Sequence, residues 1–266
     1  MRLPVRSCVV LLPLLLAACA GPGAAPAPAL PQELRTASDQ TDADRRASVR
    51  MELAGLHFGR GQYETALDEI KLALQAKPEL GPAFSLRALV YASMGEDALA
   101  EDSFNRALQI NPRDADAMHN RAWFLCQKSK FADADRWFEQ ALALPQYRDV
   151  PRTLMAQGVC FARAGKLDEA ERKLSRAYEL EASNPTTALN LSEVLYRRGE
   201  FERARFYIRR VNQREELSNA QTLWLAMRIE NRIGNRGNVE EIGRQLRNRF
   251  PQAAETLAFE RGRFDD

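Results

Sequence analysis

The chain has 266 residues and is rich in helix-forming residues, with 45% hydrophobic but only 8% aromatic residues. Its formal net charge of +2 excludes a strongly basic nucleic-acid-binding protein. It contains two histidines, His57 and His119, which limits the catalytic and metal sites that it can build. An all-α fold is therefore expected, as one large domain or one array of repeats.

Residues 1–18 are predicted to be a signal peptide. Arg2 and Arg6 give a positively charged start, and residues 9–16 form a short apolar run. That run is far shorter than the ~20 residues that a membrane-spanning helix needs. Removal of residues 1–18 also removes both arginines, which leaves equal numbers of basic and acidic residues.

The signal peptide ends in Leu16-Ala17-Ala18-Cys19, which resembles the lipobox of bacterial lipoproteins. The resemblance implies that Cys19 carries the lipid and becomes the first residue of the mature chain. An ordinary signal peptide with a chance cysteine is the alternative. Because residue 20 is Ala and not Asp, the sorting rule of such lipoproteins implies the outer membrane.

Residues 19–40 are predicted to form a lipid-anchored flexible linker. The stretch is rich in Gly, Ala and Pro, which build neither a core nor a regular helix. At up to ~3 Å per residue, it would hold the folded part tens of ångströms from the membrane.

Residues 41–266 repeat with a period close to 34 residues. The recurring small and turn residues include Gly61, Gly95, Gly165, Gly199, Ala66, Ala100, Ala134, Ala170 and Ala204. The pattern resembles the tetratricopeptide repeat, a pair of helices joined by a tight turn. We predict an all-α, right-handed superhelical solenoid of about six repeats. The units are expected near residues 47–80, 81–114, 115–150, 151–184, 185–219 and 220–253.

The spacing has a physical reason. Small residues allow the two helices of a unit to approach closely, and glycine ends the first helix because it adopts the left-handed conformation easily. Pro78 and Pro112 end the second helix. Ala134 and Ala170 lie 36 residues apart, so an extended connection is expected between the third and fourth units. Another α-solenoid is the alternative fold.

Motifs of known enzymes are missing from the sequence. It has no His-Glu-x-x-His, Gly-x-Ser-x-Gly or Cys-x-x-Cys sequence. The repeats also leave only the linker and short ends outside them. We therefore expect no enzyme, no metal, no cofactor, no small-molecule substrate and no nucleic-acid partner.

Cys126 and Cys160 are a candidate disulfide pair. Cys8 leaves with the signal peptide and Cys19 carries the lipid, so an even pair remains in an oxidising compartment. They fall at similar heights of the first helices of neighbouring units. A bond between them would join the third unit to the fourth. Two separate buried thiols are the alternative.

The first helices of stacked units are expected to line a concave groove for a protein partner. Its candidate contact residues are His119, Asn120, Trp123, Gln127, Arg163, Asn190, Glu193 and Arg197. Asn120 and Asn190 hold the position at which many such repeats bond the backbone of an extended ligand. Bridging to a neighbouring repeat or to water is the alternative role for both.

The stretch from His119 to Cys126 resembles a more specific family, the type IV pilus biogenesis lipoproteins that include PilW, PilF and Tgl. The Pro145-Gln-Tyr147 and Gly158-Val-Cys160 sequences and the C-terminal Gln245-Leu-Arg fit the same family, as do the lipobox and the length. Departures occur at Arg121-Ala122 and at residues 127–129, where the usual turn glycine is absent.

The resemblance implies a pilotin, a lipoprotein anchored in the outer membrane and facing the periplasm. Its implied partner is the type IV pilus secretin, a PilQ-like protein, whose localisation and multimerisation it would promote. Its lipidated N-terminus would contact outer-membrane lipid. The alternative function is a periplasmic tetratricopeptide scaffold for envelope assembly or cell-wall enzymes.

Overall fold

The structure is a computed structural model that describes residues 41–264, where α-helix is the only extended regular structure. The signal peptide, the linker and Cys19 lie outside these residues. None of the described helices is long and apolar enough to span a membrane. The helices are α1 (Asp42–Gly59), α2 (Tyr63–Ala76), α3 (Gly81–Met94), α4 (Asp97–Ile110), α5 (Ala115–Gln127), α6 (Phe131–Leu142), α7 (Val150–Arg163), α8 (Leu167–Leu180), α9 (Pro185–Arg197), α10 (Phe201–Asn212), α11 (Ala220–Ile233), α12 (Arg236–Arg249) and α13 (Ala254–Glu260).

Successive helices pair along the chain, α1 with α2, α3 with α4, and so on to α11 with α12. Each odd-numbered helix also packs closely against the next odd-numbered helix, whereas the even-numbered helices lie farther apart and meet through long side chains, as where Lys173 of α8 bonds to Glu139 of α6. The odd-numbered helices therefore form the inner side of the stack and the even-numbered helices its outer side. This arrangement is the predicted tetratricopeptide-repeat solenoid.

Small residues mark the places where the helices of a pair meet. They are Ala54, Ala88, Ala122, Gly158 and Ser192 on the odd-numbered helices and Ala66, Ala100, Ala134, Ala170 and Ala204 on the even-numbered ones, and all are buried. A Cβ atom on Gly158 would lie only 2.6 Å from Cγ of Leu174. The fourth pair therefore has no room for a side chain at this crossing.

Large apolar side chains fill the spaces between the pairs. Phe104, Phe124 and Phe138 are fully buried, and the rings of Phe104 and Phe124 lie 5.7 Å apart. Burial of each such side chain stabilises the fold by roughly 1.5–3 kcal/mol. Because each face is covered by the next repeat, the units are stable only as a stack.

The turn within each pair contains a left-handed residue. Glycine provides it in five pairs, at Gly61, Gly95, Gly165, Gly199 and Gly234. In the third pair Ser129 adopts this conformation, with φ of 58°. A residue with a side chain is less stable than glycine in this conformation by about 1 kcal/mol, so the turn at Ser129 is locally strained.

Two connections between pairs are longer than the rest. Residues 143–149 join α6 to α7, as the 36-residue step predicts, and residues 213–219 join α10 to α11. By contrast, residues 111–114 suffice between α4 and α5. The second long connection had no clear sequence signal, because the sixth repeat is degraded.

The short helix α13 covers the last repeat. A Cβ atom on Gly243 would lie 2.2 Å from the ring of Phe259, so glycine leaves the space that this ring fills. Phe264 stacks on Trp224, with ring centroids 5.8 Å apart. The sequence pattern did not predict α13, because it follows the final repeat.

Candidate partner-binding groove

The inner face of the stack carries the candidate contact residues. Those of α5 are His119, Asn120, Trp123 and Gln127, that of α7 is Arg163, and those of α9 are Asn190, Glu193 and Arg197. The odd-numbered helices hold them side by side because each packs directly against the next. Their individual environments differ.

Trp123 and Arg163 form a stacked pair across two repeats. The Cζ atom of Arg163 lies 5.1 Å from the centroid of the Trp123 ring. The indole is half-buried, and the arginine is exposed. Stacking of this kind contributes roughly 0.5–1 kcal/mol at an exposed site and holds the guanidinium in place. The pair therefore presents a flat aromatic surface beside a fixed cation.

The two asparagines bond within the protein. Nδ2 of Asn120 donates to Oγ of Ser85 at 3.2 Å, which bridges α5 to α3. Nδ2 of Asn190 donates to the carbonyl oxygen of Thr186 at 2.8 Å, one turn earlier in its own helix. Asn120 thus adopts the inter-repeat bridge that the sequence analysis gave as its alternative role.

The remaining open residues lie near the ends of α5 and α9. Gln127 and Arg197 are exposed, and Glu193 is partly exposed. Nη1 of Arg197 donates to the carbonyl oxygen of Ala162 at 3.1 Å, so this side chain reaches back to α7. Ala162 precedes Arg163, the last residue of α7, so this bond brings the side chain of Arg197 towards Arg163.

His119 lies inside the stack, with 8% of its surface exposed. Its Nδ1 is 2.8 Å from Oγ1 of Thr153, and the hydroxyl of Tyr147 is 2.6 Å from the same oxygen. Burial, with a smaller effect from Arg152, lowers the pKa of His119 to about 4. The imidazole is therefore neutral at pH 7 and joins the third repeat to the fourth instead of facing a partner.

Cys126 and Cys160 are bonded to each other in the structure. Their Cα atoms lie 5.8 Å apart, within the range that disulfides require. The bond joins α5 to α7, and both residues are buried. It crosses the same pair of repeats as the contact between His119 and Thr153.

Two arginines of the inner face were missed by the sequence analysis. Cζ of Arg228 lies 4.7 Å from the ring centroid of Tyr196, and Cζ of Arg232 lies 5.1 Å from that of Phe201. A signal was present, because Arg163, Arg197 and Arg232 recur at almost the same position of successive repeats. It was overlooked because the sixth repeat aligns poorly with the others.

Comparison with known proteins supports the repeat assignment. Three family models described as tetratricopeptide repeat match residues 82–114, 103–136 and 161–223. The type IV pilus assembly protein PilF of Pseudomonas aeruginosa is 25% identical over 219 residues, which cover 82% of this chain and 86% of PilF.

Solved structures give the same result. The structure of Pseudomonas aeruginosa PilF has a TM-score of 0.72 and 23% identity, and the match covers 84% of this chain and all of that one. A crystal structure of PilW, described as a widely conserved type IV pilus biogenesis factor, has a TM-score of 0.73 and 28% identity. That match covers 80% of this chain and 97% of PilW. The chain is therefore a tetratricopeptide-repeat protein that is homologous to PilF and structurally close to both PilF and PilW.

Proposed function

We propose that this chain is an outer-membrane lipoprotein of type IV pilus biogenesis that binds the pilus secretin and promotes its localisation and multimerisation. The observation that carries the proposal is the similarity to PilF and PilW over most of each chain. Those proteins are described as a type IV pilus assembly protein and a type IV pilus biogenesis factor.

The proposed mechanism is physical and involves no catalysis. A lipid on Cys19 would hold the chain at the outer membrane, and residues 20–40 would let the solenoid search for secretin subunits. Tethering raises the local concentration of bound subunits, which favours ring assembly without any new contact between them. The inner face, with Trp123 stacked against Arg163, is the surface that we assign to the partner.

The first experiment removes the gene and measures secretin multimers in membrane fractions. We expect the detergent-resistant multimers to be lost or misplaced and to return when the intact gene is restored. A strain that keeps normal multimers in the outer membrane without this chain would rule out the proposal.

A second experiment separates tethering from binding. We expect Cys19→Ala to leave the protein outside the outer membrane and to reduce secretin multimers, because the lipid anchor is lost. Cys8→Ala is the matched control, since that cysteine lies in the proposed signal peptide and should change neither property. Normal multimers in the Cys19→Ala strain would exclude the tethering step.

A further inference from the structure

We infer that the inner face of the last three repeats binds an acidic, extended segment of the protein partner. The contact residues are Arg163, Arg197, Arg228 and Arg232, which we call the arginine ladder. For the identity of the partner the inference rests on the proposed function. The chemistry of the bound segment follows from the arginines themselves.

Each arginine of the ladder reaches back towards the preceding repeat. Arg163 lies over Trp123, and Nη1 of Arg197 bonds to the carbonyl oxygen of Ala162. Arg228 and Arg232 lie over Tyr196 and Phe201. Each of the four guanidinium groups is thus held against the preceding repeat by a ring or a carbonyl oxygen.

No carboxylate of residues 41–264 forms an ion pair with the arginine ladder. Other arginines of the same repeats do form such pairs, and Arg198 and Arg203 both bond to Glu171. Nε of Arg228 is buried and has no hydrogen-bond partner among the described residues. A cation held without a counterion is ready to bind an anion from outside.

The helices that carry the ladder have little negative charge of their own. The sequences of α7, α9 and α11 contain two carboxylates, Glu193 and Glu230. Glu230 is buried and accepts a hydrogen bond from Arg209 of α10 at 3.1 Å. Of these two carboxylates, Glu193 is partly exposed and Glu230 is not. The four arginines of the ladder therefore outweigh the negative charge of these three helices, and the face is positive overall.

A simpler role for these arginines is to stabilise helix ends. Arg163, Arg197 and Arg232 stand in the last turn of their helices, where a cation interacts favourably with the helix dipole. That role does not require the aromatic rings beneath two of them. It also does not apply to Arg228, which lies a full turn further from its helix end.

The spacing of the ladder favours an extended ligand. Packed helices lie about 8–10 Å apart. An extended peptide in the polyproline II conformation advances about 3.1 Å per residue with about three residues per turn, so carboxylates three residues apart face the same side and would match successive repeats. Arginine binds a carboxylate through two parallel N–H groups, which fixes the direction of the side chain that it holds.

The test uses the full chain in detergent and fluorescent peptides measured by polarisation. The probe is an extended peptide with a glutamate at every third position. One comparison peptide has glutamine in place of glutamate, and another has the same composition with the glutamates adjacent. The protein variants are the triple change Arg163→Glu, Arg197→Glu and Arg232→Glu, and the control Arg172→Glu on the exposed side of α8.

We expect the glutamate peptide to bind, and both comparison peptides to bind several-fold more weakly. Each exposed ion pair contributes a factor of roughly 1.5 to 5, so the triple variant should lose about tenfold or more in affinity. Arg172→Glu should bind as the unchanged protein does. Equal binding of the glutamine peptide, or undiminished binding by the triple variant with an unchanged circular dichroism spectrum, would overturn the inference.

Secretin co-purification separates this inference from the proposed function. If secretin binds the unchanged chain and not the triple variant, both are supported. If secretin binds both chains equally, the arginine ladder is not its contact and the inference fails while the proposed function stands. If the glutamate peptide binds and secretin does not, the ladder is a site for an acidic segment of another protein.

Discussion

Ser129 and His119, both in the third repeat, occupy environments that their side chains do not favour. Ser129 is left-handed where five other pairs have glycine. His119 is buried among the third and fourth repeats, where burial lowers its pKa to about 4. The surrounding repeat holds each residue in that environment. A single substitution therefore measures how much the unfavourable environment lowers the unfolding free energy.

Replacing Ser129 by glycine should stabilise the protein by about 1 kcal/mol, because glycine adopts the left-handed conformation without steric cost. Urea denaturation of the two proteins would measure the difference. Ser175→Gly is the matched control, since Ser175 lies inside α8 and glycine there should destabilise by roughly 0.5–1 kcal/mol. Destabilisation by both substitutions would contradict the interpretation of the turn.

His119 should make the protein less stable in acid. The folded state keeps His119 neutral down to about pH 4, whereas the unfolded chain protonates it near the ordinary value of 6.5. The unfolded state therefore binds more protons between these values. Stability should be complete above about pH 6.5 and fall as the pH drops towards 4.

The comparison with His119→Gln isolates this effect from that of the carboxylates. Between pH 7 and about pH 4.5 the unchanged protein should lose about 2 kcal/mol more of its unfolding free energy than the variant does. Urea denaturation at both pH values provides the measurement. Equal losses in the two proteins would show that His119 is not protonated differently on unfolding.

At the scale of elements, caps and close contacts define where each helix begins and how near it lies to its partner. Asp114 accepts a hydrogen bond from the backbone N–H of Ala117 at the start of α5. Asn184 and Asn219 cap α9 and α11 in the same way. The crossing at Gly158 then sets the distance between α7 and α8.

Gly158→Ala should destabilise the protein by about 2 kcal/mol, because the added Cβ would meet Leu174 and the carbonyl oxygen of Ala170. Gly55→Ala is the matched control: nothing lies within 4 Å of a Cβ there, so better helix propensity should stabilise α1 by roughly 0.5–1 kcal/mol. Thermal or urea denaturation of both variants and of the unchanged protein would measure these differences in stability. A neutral Gly158→Ala would mean that α7 and α8 separate at little cost.

At the scale of the whole described stack, the third and fourth repeats are held by more than apolar packing. The disulfide joins α5 to α7, and His119 bonds to Thr153 across the same boundary. This boundary also contains the longer connection of residues 143–149. Covalent and polar contacts thus reinforce the place where the regular period is interrupted.

Removing the disulfide by Cys126→Ala together with Cys160→Ala should lower the unfolding free energy by about 3–4 kcal/mol. In the chain-entropy model this is the effect of opening a loop whose ends are 34 residues apart. Urea denaturation with and without dithiothreitol is the measurement. The reductant should weaken the unchanged protein and leave the double variant unaffected; equal sensitivity of the two would mean that no disulfide forms.

The repeats themselves could be predicted from the sequence, because the period is local chemistry repeated many times. Glycine is needed at the turn for its left-handed conformation, and alanine is needed where two helices cross closely. Both requirements arise within one pair of helices. The turns at Gly61, Gly95, Gly165 and Gly199 and the buried alanines agree with this pattern. The all-α solenoid followed from these residues, and the resemblance to the PilF family followed from short local sequences such as residues 119–126 and 158–160. Neither required any contact between distant parts of the chain.

Only the tertiary structure decided which inner-face residues are open. His119 and Trp123 lie one helical turn apart on α5, yet the first is buried against Thr153 and the second is half-exposed beneath Arg163. The difference depends on what the next repeat places opposite each residue. Exposure and charge on this face, including the arginine ladder, are therefore properties of stacked repeats and cannot be read from one repeat alone.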